Sequence, residues 1–456
     1  MTDAVINLYD TARQQVAPLA QRDRGKVSIY VCGPTVYGPP HIGHGRSMLV
    51  YDVLRRYLRW RGVEVTFVSN ITDIDDNIIN RANREGRDST EIAVRCEAVW
   101  WDAVDRLGVE RPDHIPHATD YVDGMIELIG DLLAKGRAYE TAHGVYLSVA
   151  DVEGYGLLAH QSLDALQEGG GDRDLVGGDK RHPADFVLWK PAKEGEPSWP
   201  SPWGPGRPGW HTECVVMSLD LLGEGFDLHT GGLDLRFPHH ENERAQAVAL
   251  GRCFANHWMH HGFVEFEGEK MSKSLGNVTN LLDLLDAYDP RAYRLLILRS
   301  HYRSPIEVTD ATMVDAEAAL ERLDAFARRT AALDGRPDEA VLDAFRAVMA
   351  DDLDTPGGVD LLFRQVREAN TALDRGDQAA ATAAAGAARE IATALGLELR
   401  SSTSEVPAGI QALVDERQVA RAARDFATAD RLRDELTAAG WTVEDSADGP
   451  VARPLP

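Results

Sequence analysis

Apolar positions alternate at Val27, Ile29 and Val31, then give way to Gly33-Pro34 and Gly38-Pro39-Pro40. This is the pattern of a strand broken by a loop. Beyond it, Val50, Val53, Leu54, Tyr57 and Leu58 fall at helical spacing until Arg61-Gly62, and Val63 to Val68 reads as a second strand. The run predicts a βαβ unit of a parallel sheet, with Cys32, His41 and His44 in its first turn. That turn lies where such sheets bind ligands, beside the free amides of a helix N-terminus. The loop after the second strand, Asn70-Ile71-Thr72-Asp73-Ile74-Asp75-Asp76, opens on the same edge. We expect Thr72 or Asp73 to cap the next helix, Asp75 and Asp76 to form a solvated face, and Thr72 to be the residue nearest a ligand.

The pattern then changes. Val122, Met125, Ile126, Ile129 and Leu133 mark an amphipathic helix ending near Gly136, followed by β-rich pieces such as Val145-Tyr146-Leu147 and a Pro- and Gly-rich run from Trp199 to Trp210. This predicts an insertion over 121–204, in which Trp199 and Trp203 pack. From 313 onward, alanine-rich helical segments over 313–333, 338–351, 358–374 and 377–396 predict a bundle. Ser401 to Pro407 reads as a linker to a last helix over 408–438 and a strand at Trp441-Thr442-Val443. The expected organisation is therefore an α/β, Rossmann-like catalytic domain over 1–120 and 205–265, the insertion over 121–204, a linking region over 266–312, the bundle over 313–400 and a small module over 401–456.

Composition narrows the possibilities only modestly. At 456 residues several cores are expected, and no apolar run suits a membrane span. Without a basic start followed by an apolar stretch, a cytoplasmic location is the default expectation. Cys32, Cys96, Cys214 and Cys253 are too irregularly spaced for a disulfide framework, and Cys96 and Cys253 are expected to pack in cores. A formal charge of −25 argues against unspecific adhesion to nucleic acid but leaves a local basic face possible. Arg417, Arg421 and Arg424 offer one at helical spacing, beside the acidic Asp415, Glu416 and Asp425.

Two groups of residues carry chemistry. Pro238-His239-His240-Glu241-Asn242-Glu243 places a proline where helices open and sets His239 and Glu243 on one face. With Cys32 and Cys214 they would make a Cys₂HisGlu set suited to zinc, with His240 and Glu241 as rival ligands. The second group is His41-Ile42-Gly43-His44 together with Lys270-Met271-Ser272-Lys273-Ser274. No Gly-Lys phosphate loop and no Gly-x-Gly-x-x-Gly follows the first strand, so these histidines and lysines are the candidates to meet phosphate.

This pair resembles the HIGH and KMSKS motifs of class I aminoacyl-tRNA synthetases. The resemblance is closer to the cysteinyl-tRNA synthetases, through Tyr30 to Tyr37, Asn70 to Asp76, Gly209 to Cys214, Gly231 to Glu243, Asp185 to Lys190 and Asp351 to Pro356. It implies a ligase that activates L-cysteine with ATP and passes it to tRNA(Cys). It further implies that Cys32, Cys214, His239 and Glu243 bind one Zn²⁺ and that Thr72 and Trp210 line the amino-acid pocket. His41, His44, Lys270 and Lys273 would serve the phosphates, and Gly43, Gly231, Gly232, Asp234 and Lys273 the nucleotide, with Mg²⁺ carried by ATP. A monomer is expected. A cysteine ligase of mycothiol synthesis, which joins cysteine to an amino-sugar, is the nearest alternative, and a non-catalytic nucleotide-binding protein with a structural zinc is a second.

Overall fold

The computed structural model describes residues 5–166, 180–266, 269–270, 280–401, 408–423, 425–446 and 449–454. Its central sheet has four parallel strands in the order Ala255–His261, Phe226–Gly232, Lys26–Val31, Glu64–Ser69. The helix Ile42–Trp60 crosses between the last two, as the spacing predicts, and the chain leaves it at Arg61 and at Gly62, whose φ is +80°. Val27, Ile29 and Val31 face this helix, in one core with Leu49, Val53 and Leu54. Tyr30 points to the opposite face, into a second core with Val68, Met125, Ile129, Leu147 and Cys214. Strand alternation thus joins the sheet to two bodies at once.

The insertion enters between the strands Glu64–Ser69 and Phe226–Gly232. It holds the helix Val122–Ala134 and an antiparallel sheet of Ala138–Thr141, Gly144–Leu147, Phe186–Pro191 and Gly206–Pro208. The last of these lies in the Pro-rich run. As an edge strand it tolerates Pro208. Trp199 and Trp203 pack against this core, and Trp203 meets Trp189 edge-on at 6.0 Å.

The bundle contains the helices Asp310–Arg329, Glu339–Ala350, Thr355–Asp374 and Gln378–Ala394. Its core is continuous with that of the sheet: Trp60 meets Phe345 at 5.2 Å, and Tyr57 donates to the Arg346 carbonyl. Asp352 fastens three segments, accepting from Tyr9 N–H (2.7 Å), Tyr302 Oη (2.6 Å) and Arg303 Nε (2.7 Å). Where one last helix is expected, two occur, Ala408–Ala422 and Phe426–Ala438. Asp425 starts the second by accepting from Thr428 N–H, a local bond that competes with helix continuation. The strand at Trp441 extends over Trp441–Ser446 and pairs with Gly449–Pro454. Cys96 is buried as expected, whereas Cys253 is exposed, in the turn before Ala255–His261.

A buried ion pair joins the sheet's helix to the later chain. Asp52 and Arg294 are each 2 % exposed and meet at 2.6 Å, with Arg56 at 2.8 Å from the same carboxylate oxygen. Burial would raise the Asp52 pKa, but the two guanidinium groups overcome it and hold the carboxyl below the usual range. Removing one member of such a pair strands the other in the core. Asp52→Ala is expected to cost about 3 kcal/mol, measurable by urea unfolding.

Candidate functional site

The helix at His41-Ile42-Gly43-His44 begins with a reciprocal cap. His44 N–H donates to His41 Nδ1 (3.3 Å) and His41 N–H donates to His44 Nδ1 (3.1 Å). Both Nδ1 atoms therefore act as acceptors, so in the neutral rings both protons sit on Nε2. The rings stack with centroids 3.7 Å apart, and a Cβ on Gly43 would come within 2.9 Å of the His41 ring. Burial lowers both pKa values, that of His44 strongly and with help from His41 and His261. The pair is thus a neutral double donor at a helix N-terminus, suited to anionic oxygen.

These histidines line a cavity of about 400 Å³ whose wall includes Cys32, Gly43, Trp210, Gly232 and Asp234. A Cβ on Gly232 would fall 2.3 Å from Asp234 Oδ1, so the glycine lets that carboxylate fold against the strand end. Gly231 lies just behind, its carbonyl accepting from Tyr51 Oη at 2.6 Å. Thr72 is 1 % exposed and sits behind the wall rather than on it. It lies beside the Cys32 loop as expected, through Thr72 N–H to Pro34 O (3.0 Å) and Val36 N–H to Thr72 O (3.1 Å). Its hydroxyl donates to Glu213 (2.9 Å) and accepts from Asn70 Nδ2 (3.2 Å).

The acidic loop departs from the sequence reading. Asp75, not Thr72 or Asp73, caps the helix Asp76–Glu85. Asp73 accepts from Thr119, and Asp76 is ion-paired to Lys190 (2.9 Å) and Arg207 of the insertion rather than solvated. Those partners are distant in sequence, which is why local pattern could not supply them.

Cys32, in the cavity wall, converges with the buried Cys214, His239 and Glu243. Cys32 Sγ lies 3.9 Å from Cys214 Sγ and 3.4 Å from Glu243 Oε1, and Cys214 Sγ lies 3.6 Å from His239 Nε2. A tetrahedral zinc with bonds of about 2.3 Å to sulfur and about 2.0 Å to nitrogen needs donors about 3.8 Å apart for two sulfurs and about 3.5 Å for sulfur and nitrogen. The set fits such an ion. The His239 to Glu243 edge, at 2.7 Å, would have to open.

Pro238 does not open the helix that carries these two residues. The chain turns through Arg236–His240, extended at Phe237, and the helix is Glu241–Ala249. His239 and Glu243 meet all the same. Of the rivals, Glu241 faces away, accepting from Leu158 N–H (2.6 Å). His240 belongs to a second possible donor set with Cys32, His229 and Glu243, which offers one sulfur instead of two.

Two histidines that sequence reading passed over, His229 and His211, hold these donors in place, together with Trp210. His229 Nε2 binds Glu243 Oε2, leaving Oε1 toward the Cys32 sulfur. His211 Nδ1 meets His239 Nδ1 at 2.9 Å, leaving His239 Nε2 toward Cys214, and Trp210 stacks on His239 at 3.9 Å. Such outer contacts fix ligand orientation. The clue in the sequence was the unusual number of histidines near the strand ends at 229, 257, 260 and 261.

The donors are also set electrically. Burial would raise the Glu243 pKa, but His239 and His229 hold it well below the usual range. The thiols share their protons unequally. Cys214 is drawn down to about 6, first by its hydrogen bond with Cys32, while burial and that neighbour push Cys32 up. Burial drives the opposite change in the histidines that remain neutral: it lowers His44 and His260 well below their ordinary value and His261 to about 4. An unfolded chain binds those protons near pH 6.5 and the folded chain only lower. Their contribution is therefore whole above about 6.5 and lost as pH falls through the folded values. The melting temperature should drop steadily from pH 7 to pH 5, and a flat profile would contradict this burial.

Of the remaining candidates, Lys270 lies in the short strand Glu269–Lys270, paired to Val264–Phe266, whose first residue lines the cavity. Lys273 and Arg424 lie outside the described residues. Arg417 is 9 % exposed and Arg421 is exposed.

A parallel nucleotide-type sheet with a HIGH helix at its ligand edge defines a class I aminoacyl-tRNA synthetase. Residues 18–318 match the family of tRNA synthetases class I (C) catalytic domain, 344–400 match a DALR domain and 403–450 match the cysteinyl-tRNA ligase anticodon binding domain. A cysteine–tRNA ligase of Pseudomonas fluorescens is 44 % identical, covering 98 % of this chain and 99 % of its own length. One from Halorhodospira halophila is 45 % identical, covering 98 % of each. The methionyl-tRNA synthetase of Mycobacterium tuberculosis, solved with methionyl-adenylate, shares the fold at a TM-score of 0.61 and 16 % identity over 81 % of this chain and 90 % of that one. The chain belongs to the cysteinyl-tRNA synthetase family, and the enzyme is a cysteine–tRNA ligase. The anticodon-binding match speaks against an amino-sugar ligase. Among the described residues, no helix is long and apolar enough to cross a membrane.

Proposed function

We propose that the enzyme forms cysteinyl-adenylate from L-cysteine and ATP, selecting cysteine by its sulfur at a zinc ion held by Cys32, Cys214, His239 and Glu243, and then charges tRNA(Cys). The observation that carries this reading is the spacing of two sulfurs, one imidazole and one carboxylate, one of the sulfurs in the wall of the cavity that the neutral His41–His44 pair also lines. Zinc supplies a soft Lewis acid that lowers a thiol's pKa and prefers sulfur to a hydroxyl oxygen. A site that recognises one strong polar bond rejects the analogue lacking it, so serine needs no editing step.

In this reading Trp210 bounds the amino acid, and Thr72, tied to Glu213 and Asn70, shapes the wall behind it. The substrate carboxylate attacks the α-phosphate of ATP in line and pyrophosphate leaves. His41 and His44 donate Nε2–H to phosphate oxygens, while Lys270 and Lys273 neutralise the departing charge, with Mg²⁺ arriving on ATP. Gly43, Gly231, Gly232 and Asp234 border the nucleoside, and a hydroxyl of the terminal ribose of tRNA then attacks the acyl carbon, taking the cysteinyl group as AMP leaves. Arg421 and Arg424 are proposed to meet tRNA from the last module, whereas Arg417 is buried and is not offered for that role. Cysteine-dependent exchange of pyrophosphate into ATP, followed by transfer to tRNA(Cys) and not to an amino-sugar, tests the whole sequence. Metal binding without turnover would leave only a structural zinc.

A further inference from the structure

Arg46 stands two residues beyond His44 on the helix Ile42–Trp60 and is 1 % exposed. Arg294, Arg207 and Arg55, buried like it, each pair with a carboxylate. Among the described residues, none pairs with Arg46. Its guanidinium donates instead to backbone carbonyls: Nη1 to Phe263 O (2.7 Å), and Nη2 to Tyr302 O (2.9 Å) and Ser304 O (2.5 Å). Burying a charge without a counter-ion is costly, so the arrangement calls for a reason beyond packing. The three carbonyls belong to one joint. Gly262 N–H donates to Tyr302 O (2.8 Å) and Ile306 N–H to Phe263 O (3.0 Å), so the two segments that Arg46 grips also bond to each other. A Cβ on Gly262 would fall 2.6 Å from Arg303 O and 2.7 Å from Ser304 O, and only glycine lets them come this close. From this joint the strand Val264–Phe266 runs parallel to Ile306–Glu307 and antiparallel to Glu269–Lys270, with Glu265 opposite Lys270. Arg46 thus ties the helix of His41 and His44 to the root of the small sheet that carries Lys270. Gly262, Phe263 and Val264 line the substrate cavity together with both histidines.

We propose that Arg46 is a positioning residue for phosphate transfer: through the carbonyls of Phe263, Tyr302 and Ser304 it fixes the strand of Lys270 against the His41–His44 pair, so that histidines and lysine meet one ATP together. The proposal rests on the role given to Lys270 above. A guanidinium reaches three carbonyls at once in a fixed plane, which an ammonium on a flexible stem cannot do. Without that fork the lysine strand is free to drift from the histidines, and a misplacement of about 1 Å costs about a hundredfold in rate.

The test is a double-mutant cycle of Arg46→Lys with Lys270→Met, read by cysteine-dependent pyrophosphate exchange, with cysteine affinity and zinc content measured alongside. Arg46→Lys keeps the charge and loses the fork. In the wild-type background it should slow exchange about a hundredfold while cysteine affinity and zinc content hold. In the Lys270→Met background, already slowed, the same change should cost less than about threefold, because the group that Arg46 positions is gone. Gly262→Ala, which pushes the joint apart from the other side, should repeat both results and replaces Arg46→Lys in the cycle if that variant does not fold. Equal losses in the two backgrounds would overturn the proposal, since a merely structural tie does not depend on Lys270. So would undiminished exchange in Arg46→Lys, or a parallel fall in cysteine affinity. Undiminished exchange in Lys270→Met alone would instead refute the role of Lys270 on which the proposal rests.

Discussion

Cys214→Ser is expected to lose the zinc and to lower cysteine-dependent pyrophosphate exchange by about a thousandfold or more. Cys214 is 1 % exposed and touches Cys32 and His239. Serine would fit the space, so the fold should survive and the loss should be chemical. A buried hydroxyl stays protonated at neutral pH and is a hard, weak ligand, whereas the Cys214 thiol is already poised to ionise at about 6. With one sulfur gone, the remaining donors resemble the poorer set of Cys32, His229, His240 and Glu243. Metal analysis and exchange kinetics on the purified variant check this together. Wild-type zinc content in Cys214→Ser would remove that residue from the site.

His44→Ala is expected to slow adenylate formation by more than about a hundredfold while leaving zinc content and cysteine affinity near wild type. Each Nε2–H aimed at a developing phosphate charge is worth that much in a preorganised site. The loss should exceed that of one donor, because His44 also accepts the His41 amide and stacks on the His41 ring. His41 would then be free to turn away. Single-turnover measurement of the activation step, with cysteine binding measured separately, distinguishes this from a damaged amino-acid pocket. If cysteine affinity fell in parallel with rate, the two ends of the cavity would not have separate roles.

Much of this arrangement was legible before any coordinates. Alternation at Val27, Ile29 and Val31 and helical spacing from Val50 to Leu58 described the βαβ unit, and the apolar helices of the bundle were marked by their turns. What escaped was set by contacts between distant segments. Asp76 looks solvated in sequence but meets Lys190 and Arg207 across the insertion, and the bond from the Thr72 hydroxyl to Glu213 has no local sign in the sequence. Pro238 looks like a helix start, yet the helix begins at Glu241 because the chain is extended at Phe237. The long histidine-bearing strand Ala255–His261 carries no local sign that His260 reaches His240 at 2.8 Å.

X-ray absorption at the zinc edge, recorded with and without cysteine, tests the central claim most directly. The free enzyme should show two sulfur and two nitrogen or oxygen neighbours at its zinc, as Cys32, Cys214, His239 and Glu243 require. Adding cysteine should raise the sulfur count to three, and adding serine should leave it at two. A spectrum unchanged by cysteine, or a protein that holds no zinc, would contradict the account.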